Sequence, residues 1–377
     1  MTHLKAKKVA PVRIPDGATL CLFGLGILAW ECYPQIVQML GREPDYLCDN
    51  DASKWNTRLR GVTCISPADL AALSDVFVVV ASKATEAILA QVKALGLHRV
   101  AIVDYERAYD RVRCIRETDG SPAPSIGLLS VMDRWVMITG ASRGLGRLIA
   151  LDMARRGANL ILLARRDGHL DGVASLCAPH GKDVIRESAE FSDPAQIEAC
   201  LNKLVRAVPR IDIVFNNAGI SPPSAPGFWK TPAEDYLTAF QVNALAPILI
   251  SQTLIPGMRQ RGFGRIIHLT SSIRNRMDEM AYACSKAALD KFVYDLSFDL
   301  AGTGVMVSLA DPGWLRTDMG GGQAPHAAES ALPGVLMGAL LNADVNGRCF
   351  SAQDYAGLDL EDAARKACLL LGLAEAQ

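Results

Sequence analysis

Thr139-Gly140-Ala141-Ser142-Arg143-Gly144-Leu145-Gly146 is the stretch whose reading decides the fold. An apolar run at 136–139 leads into it, and the residues from Leu145 onward read as a helix. Closely spaced glycines have a physical use between a strand and a helix. With no side chains in the way the backbone can approach a phosphate, while the helix start offers unpaired amides and a partial positive charge. Such a turn binds a dinucleotide when it opens the first βα unit of a doubly wound sheet.

Outward from that turn, apolar runs at 159–164, 211–216, 265–271 and 305–310 alternate with helical stretches. The helices begin near Leu145, Pro194, Pro232, Met280 and Ala327. Near-continuous apolar strands separated by helices are what a parallel sheet covered on both faces requires. The same alternation occurs earlier, with strands at 20–23, 46–48, 62–65, 76–81 and 99–103 and a helix signalled by Ser66-Pro67. The expected class is α/β, with two doubly wound parallel-sheet (Rossmann-like) domains in tandem, at 1–104 and 134–377. Residues 105–133 are expected to link them. There Arg107, Arg111, Arg113 and Arg116 are spaced as on a solvated helix face, and Gly120-Ser121-Pro122-Ala123-Pro124-Ser125 reads as linker sequence.

Bulk properties narrow the function. The 377 residues are 50% hydrophobic and 21% charged with a formal net charge of −1, so no electrostatic drive toward nucleic acid or an anionic membrane is expected. The basic start at Lys5, Lys7 and Lys8 is not followed by an apolar segment, so no secretory signal is expected and the cytoplasm is the expected compartment. Ten cysteines without a CxxC pair do not make a disulfide scaffold in a chain of this length. His169, Cys177 and His180 lack a complete metal-ligand spacing, and no metal site is expected.

Four further motifs follow the glycine turn: Asn216-Asn217-Ala218-Gly219 after a strand, Asn243 within a helical stretch, Tyr282-Ala283-Cys284-Ser285-Lys286, and Pro312-Gly313-Trp314-Leu315-Arg316-Thr317. With the TGxxxGxG spacing at 139–146, they resemble the short-chain dehydrogenase/reductase family over about residues 135–350. That resemblance implies hydride transfer between a nicotinamide dinucleotide and a small carbonyl or alcohol substrate. It implies Tyr282 as proton donor, Lys286 as ribose ligand and Tyr282 activator, Asn243 as part of a proton relay and a serine that polarises the carbonyl. Position after the strand favours Ser272, with Ser271 the alternate. It also places the cofactor against Gly140, Ser142, Arg143, Gly144, Leu145 and Gly146, against Asn217, Ala218 and Gly219, and against Tyr282, Lys286, Pro312, Gly313 and Thr317. A homodimer or homotetramer is implied as well.

Residue chemistry agrees with these roles. Residues i and i+4 share a helix face, so Tyr282 and Lys286 face one cleft. An ammonium held close, together with the cofactor's nicotinamide, favours the phenolate, so the Tyr282 pKa is expected to fall below its usual value near 10. Ala164 stands where NAD-preferring enzymes carry an Asp, with Arg165 and Arg166 following and Arg143 in the glycine turn. Cations without a carboxylate suit the 2′-phosphate of NADP.

In the first domain, Gly24-Leu25-Gly26-Ile27-Leu28-Ala29 fits GxGxxA, and Asp49 follows at the end of the next strand. This stretch resembles small Rossmann-like modules attached to sugar-nucleotide and polysaccharide-modifying enzymes. The resemblance makes Gly24, Gly26 and Asp49 candidates for a second nucleotide site. A structural or oligomerising domain is the other reading. For the whole chain, the alternatives to a ketone or aldehyde reductase are an oxidoreductase specific for a nucleotide-activated sugar, and a dinucleotide-sensing scaffold without catalysis.

Overall fold

The computed structural model describes residue 12 and residues 14–371, apart from 83–84, 107–110, 119–126, 181, 223–227 and 272–278. The chain divides into two compact units, made chiefly of Met1–Ala123 and Pro124–Cys368.

The first unit has strands β1 (Thr19–Phe23), β2 (Tyr46–Cys48), β3 (Arg58–Leu59), β4 (Val62–Ile65), β5 (Val76–Val80), β6 (Val100–Glu106) and β7 (Arg111–Thr118). Its helices are α1 (Ile27–Glu31), α2 (Tyr33–Leu40), α3 (Pro67–Ala71) and α4 (Thr85–Ala94). The sheet order is β3-β4-β2-β1-β5-β6-β7. The inner pairs are parallel, and both edge strands run antiparallel to their neighbours. The period-2 geometry of β1 sorts its side chains onto two faces. Leu20 and Leu22 join one core with Ile36 of α2, and Cys21 and Phe23 join the other with Leu70 of α3 and Ile88 of α4. Ser66 caps α3 in a reciprocal capping box with Asp69, as its Ser-Pro start leads one to expect.

Two expectations need correction here. The parallel sheet expected here gains an antiparallel strand at each edge, and the stretch expected as a 105–133 linker with a solvated arginine helix contributes β7, which pairs with β6 from Val100 to Glu106. The alternation Arg111-Val112-Arg113-Cys114 has the period of a strand, and pairing with β6 decides between that and the weaker helical spacing. Arg107 and residues 119–126 lie outside the described residues.

The second unit has strands β8 (Trp135–Thr139), β9 (Asn159–Ala164), β10 (Val184–Ser188), β11 (Ile213–Asn216), β12 (Gly264–Leu269) and β13 (Val305–Asp311), the short pair β14 (Leu315–Arg316) and β15 (His326–Ala327), and β16 (Arg348–Ser351). Its helices are α5 (Gly144–Arg155), α6 (Asp171–Cys177), α7 (Pro194–Ala207), α8 (Ala233–Phe240), α9 (Ala246–Arg261), α10 (Met280–Leu300), α11 (Leu332–Leu340) and α12 (Leu360–Leu371). The main sheet, β10-β9-β8-β11-β12-β13-β16, is parallel throughout. Strand order reverses beside β8, so its carboxyl edge opens a crevice between β8 and β11. One face packs Ile138 and Phe215 against Leu145 of α5 and Val335 of α11. The other packs Met137 and Val214 against Ile250 of α9 and Val293 of α10.

Helices α8 and α9 are joined by a π-helical turn, Gln241–Leu245, and together form a run with the length and hydropathy of a membrane span. Over half of its most apolar window is buried in the unit, with Val242, Ala246, Ile250, Leu254 and Met258 in the core. Helix α11 lies so close to the sheet that two of its positions admit only glycine. A Cβ on Gly334 would fall 2.3 Å from Ala352 Cα, and one on Gly338 would fall 2.2 Å from Ser308 Oγ. Gln353, next to Ala352, donates from Nε2 to Pro312 O at 2.8 Å and so supports the loop after β13.

Gly334→Ala must therefore push α11 off the 352–355 turn, a steric cost on the order of 1–3 kcal/mol. The expected result is a lower thermal midpoint together with weaker cofactor binding, because the Pro312 loop moves with Gln353. A melting curve unchanged from the parent would contradict that packing.

Candidate active site

The glycine turn is held closed by one side chain from the neighbouring strand exit. Asn217 donates from Nδ2 to Thr139 O (2.9 Å) and Gly140 O (3.1 Å). The Thr139 hydroxyl in turn accepts from Asn217 N (3.0 Å) and Ala218 N (2.9 Å). This clamp leaves no room for side chains. Gly140 has φ +65°, and its Cβ would meet Ala218 Cα at 2.9 Å; a Cβ on Gly146 would fall 2.3 Å from Gly140 O and 2.5 Å from Asn217 Nδ2. Helix α5 starts at Gly144 without a side-chain cap, so no side chain competes for its first-turn amides. Thr317 lies over that start, its Cγ2 3.5 Å from where a Gly144 Cβ would be. A dinucleotide pyrophosphate fits an uncapped, glycine-lined helix start of this kind.

Arg143, at the N-cap, forms an ion pair with Asp318 at 2.8 Å, and both side chains are largely exposed. Arg165 and Arg166 follow β9 directly and are exposed. Gly313 adopts φ +76° and its amide donates to Asp311 Oδ1 at 3.0 Å, which fixes the turn carrying Pro312 and Thr317.

On the other side of the crevice, Asn243 lies fully buried in the π-helical turn. Its Oδ1 accepts from Ile220 N and its Nδ2 donates to Ile220 O, both at 2.8 Å, and Nδ2 also donates to Ser285 Oγ at 3.0 Å. Ser285 Oγ in turn donates a hydrogen bond to Tyr282 O at 2.7 Å. Gly219 is the meeting point: a Cβ there would stand 3.2 Å from Asn243 Oδ1 and 3.6 Å from Lys286 Nζ. Lys286 is buried and donates to Leu269 O at 2.7 Å, with Nζ 5.8 Å from the centre of the Tyr282 ring. Glycine turn, Asn217-Ala218-Gly219, Asn243, Tyr282 and Lys286 thus converge on one edge of one sheet.

The serine differs from the expectation in emphasis. Ser272 lies outside the described residues, whereas the side chain of Ser271 is hydrogen-bonded to that of Tyr282.

The protein's own groups act on Tyr282 in the opposite direction to that expected once the nicotinamide is beside it. Burial pushes the phenol up to about 12, and the Ser271 hydrogen bond works against that without reversing it. Glu279, Asp311 and Asp290 add to the rise. Burial also lowers the Lys286 ammonium to about 8, with Asp290 opposing. Desolvation wins for both groups, because Lys286 is buried and Tyr282 is half-buried.

Sequence reasoning missed Asp290. One turn beyond Lys286 on α10, it is raised by burial to about 7 and accepts from Thr270 Oγ1 at 2.5 Å. Its spacing, four residues after Lys286 and eight after Tyr282, places it on their helix face and could have flagged it. His268 on β12 is also buried, held neutral with a pKa pushed down to about 3, and its Nδ1 lies 3.3 Å from Asn216 Nδ2.

In the first unit, Asp49 is already engaged. Its Oδ2 accepts from Leu25 N at 2.7 Å and pairs with Lys54 Nζ at 3.1 Å, and its Oδ1 accepts from Asp51 N at 2.9 Å. Gly24, at φ +94°, has Ser82 Cβ 2.6 Å from where its own Cβ would lie, while Gly26 faces open space. These contacts close the turn, a structural task that needs no nucleotide.

Comparison with known proteins agrees with this geometry. A family model described as short chain dehydrogenase matches residues 134–327. A protein named short-chain type dehydrogenase/reductase from Picea abies is 33% identical over 195 residues, covering 49% of this chain and 72% of its own length. The chloroplastic NADPH-dependent aldehyde reductase-like protein of Arabidopsis thaliana is 32% identical over 204 residues, covering 51% and 76%. A short-chain dehydrogenase from Shigella flexneri 2a, solved in complex with NADP, superposes with a TM-score of 0.55 at 26% identity, covering 59% of this chain and 99% of that one. With the sheet order, the clamped glycine turn and the Tyr282–Lys286 pair on one edge, these matches show that the chain is an oxidoreductase of the short-chain dehydrogenase/reductase family.

Proposed function

We propose that the second unit interconverts a small ketone or aldehyde and its alcohol with NADP(H), using Tyr282 as the proton donor. The observation that carries this reading is the contact set around one phenol: Ser271 hydrogen-bonded to it, Lys286 near its ring, and the glycine turn on the same sheet edge. The bound nicotinamide would supply the hydride to the carbonyl carbon. Tyr282 Oη delivers the proton to the carbonyl oxygen, so hydride and proton together convert C=O to CH–OH. Ser271 is the serine in contact with Tyr282 and takes the polarising role in this proposal. Lys286 uses one of its three protons on Leu269 O, which leaves donors for the ribose hydroxyls. Asn243 holds the Ile220 backbone and Ser285, and through them the wall of the cleft.

NADP is the proposed cofactor because β9 ends in Ala164-Arg165-Arg166 without a carboxylate. Arg143 joins them by exchanging Asp318 for the 2′-phosphate, and an exposed ion pair of this kind costs little to break. The NADP complex of the Shigella flexneri relative supports the same choice. We also propose a homo-oligomer, since the α8–α9 run leaves Leu237, Phe240 and Leu245 exposed and α10 leaves Phe298 exposed.

Three outcomes test the proposal. Tyr282→Phe is expected to lower turnover by on the order of 10²–10⁴-fold with NADPH affinity close to the parent's, as measured by steady-state kinetics and calorimetry. Turnover within a few-fold of the parent would remove Tyr282 from the mechanism. Arg143→Ala with Arg165→Ala should weaken NADPH far more than NADH, and equal losses would contradict the 2′-phosphate assignment. The third is a pH profile. With its phenol at about 12, Tyr282 is protonated and ready for reduction at neutral pH. Alcohol oxidation must start from the phenolate, so its rate should climb as pH rises from about 7 to about 10. A flat oxidation profile over that range would contradict the pKa direction.

A further inference from the structure

At the opposite edge of the same sheet, the residues just before β8, β11 and β12 enclose a cleft of about 410 Å³. It is lined by Arg134, Arg210, Arg261, Asp212 and Phe263, together with Ser130 and Met132. Three guanidinium groups therefore face one carboxylate, an excess of two positive charges in a concave site. Asp212 is only 5% exposed, and its oxygens are occupied. Oδ2 accepts from Trp135 N and Arg210 Nε, both at 3.0 Å, while Oδ1 lies 4.0 Å from Arg134 Nη1.

The arginines are held in place by strand-start carbonyls. Arg134 Nε donates to Ser130 O at 3.0 Å, Arg210 Nη2 to Asp133 O at 3.4 Å and Arg261 Nη2 to Ile211 O at 3.0 Å. Each guanidinium has five N–H donors, so these bonds orient the groups while using only part of their capacity. Arg134 lies over the Phe263 ring, its Cζ 4.0 Å from the centroid. Arg265 lies 5.5 Å from the same ring centre, is 3% exposed, and has a buried Nε without a partner among the described residues. Fixed, partly used guanidinium forks around an aromatic ring are suited to a phosphate group, which they can bind bidentately. Purely structural arginines would need neither the concavity nor the excess charge.

The geometry points to a second ligand site in this cleft, separate from the nucleotide crevice, for a small phosphate-bearing molecule. Its volume lies within the range of small-molecule sites, so the ligand has room for an organic part beside the phosphate. The inference does not depend on the catalytic assignment, because every residue it uses lies at the amino ends of the strands and the reaction residues lie at the carboxyl ends.

Inorganic pyrophosphate is the probe, titrated calorimetrically into the full chain saturated with NADP⁺ so that the nucleotide crevice is blocked. The expected result is saturable binding at one site per chain, at least tenfold weaker in Arg210→Ala/Arg261→Ala. A thermal melt without ligand checks that the double variant folds. If it melts early, Arg210→Lys keeps the charge, removes the fork, and is expected to weaken binding as well. Binding that is absent or non-saturable, or equal in the parent and the arginine variants, would overturn the site.

Discussion

The bond from Asn217 Nδ2 to the carbonyls of Thr139 and Gly140 is the constraint on which the rest of the site depends. It joins the exits of β8 and β11 across the point where strand order reverses. Once that join is made, Gly140 and Gly146 must be glycine, because the place a Cβ would take is filled by Ala218, Asn217 or the turn itself. The same join sets the path of Asn217-Ala218-Gly219. Gly219 then stands against Asn243 and Lys286, so the turn that suits a pyrophosphate and the amine that would hold a ribose are parts of one continuous contact path.

That path ends in a pocket of buried charge. Lys286 is buried and Tyr282 and Asp290 are half-buried, and the loss of water contact disfavours the charged form of each. A lone buried lysine would be costly. Here the Leu269 carbonyl, the Asp290 carboxyl and its Thr270 bond share the cost. Tyr282 keeps its proton in this setting, as the proposed proton donor must. In the proposed mechanism, the direction of catalysis is therefore sensitive to the charge the cleft holds around the phenol.

Much of this was legible in the sequence, because the constraints are local. A strand of apolar residues running into TGxxxGxG, and a Tyr and Lys one helical turn apart, fix where a backbone must turn and which side chains share a face. Edge strand β7 was misread, since its arginines also fit the weaker spacing of a solvated helix, and only the hydrogen bonds from β6 decide for a strand. The desolvation of Tyr282 was not legible for a related reason: neighbouring charge can be read from spacing, but loss of water comes from the whole fold packed around the residue. Asn217 was expected to serve the cofactor site, and its bonds to the glycine turn appear only once β8 and β11 are side by side. In the first unit, Asp49 fitted a ribose-binding spacing, while the fold gives it Leu25, Lys54 and Asp51 as partners.

The central claim is that one clamped edge of the second sheet holds both the dinucleotide and the reacting phenol. A crystal structure of the chain with NADP⁺ bound tests it most directly. The account predicts the pyrophosphate against the Gly144 start of α5, the nicotinamide ribose within hydrogen-bond reach of Lys286 Nζ, and the 2′-phosphate beside Arg143 and Arg165. A dinucleotide bound elsewhere, or one whose nicotinamide lies away from Tyr282, would contradict it.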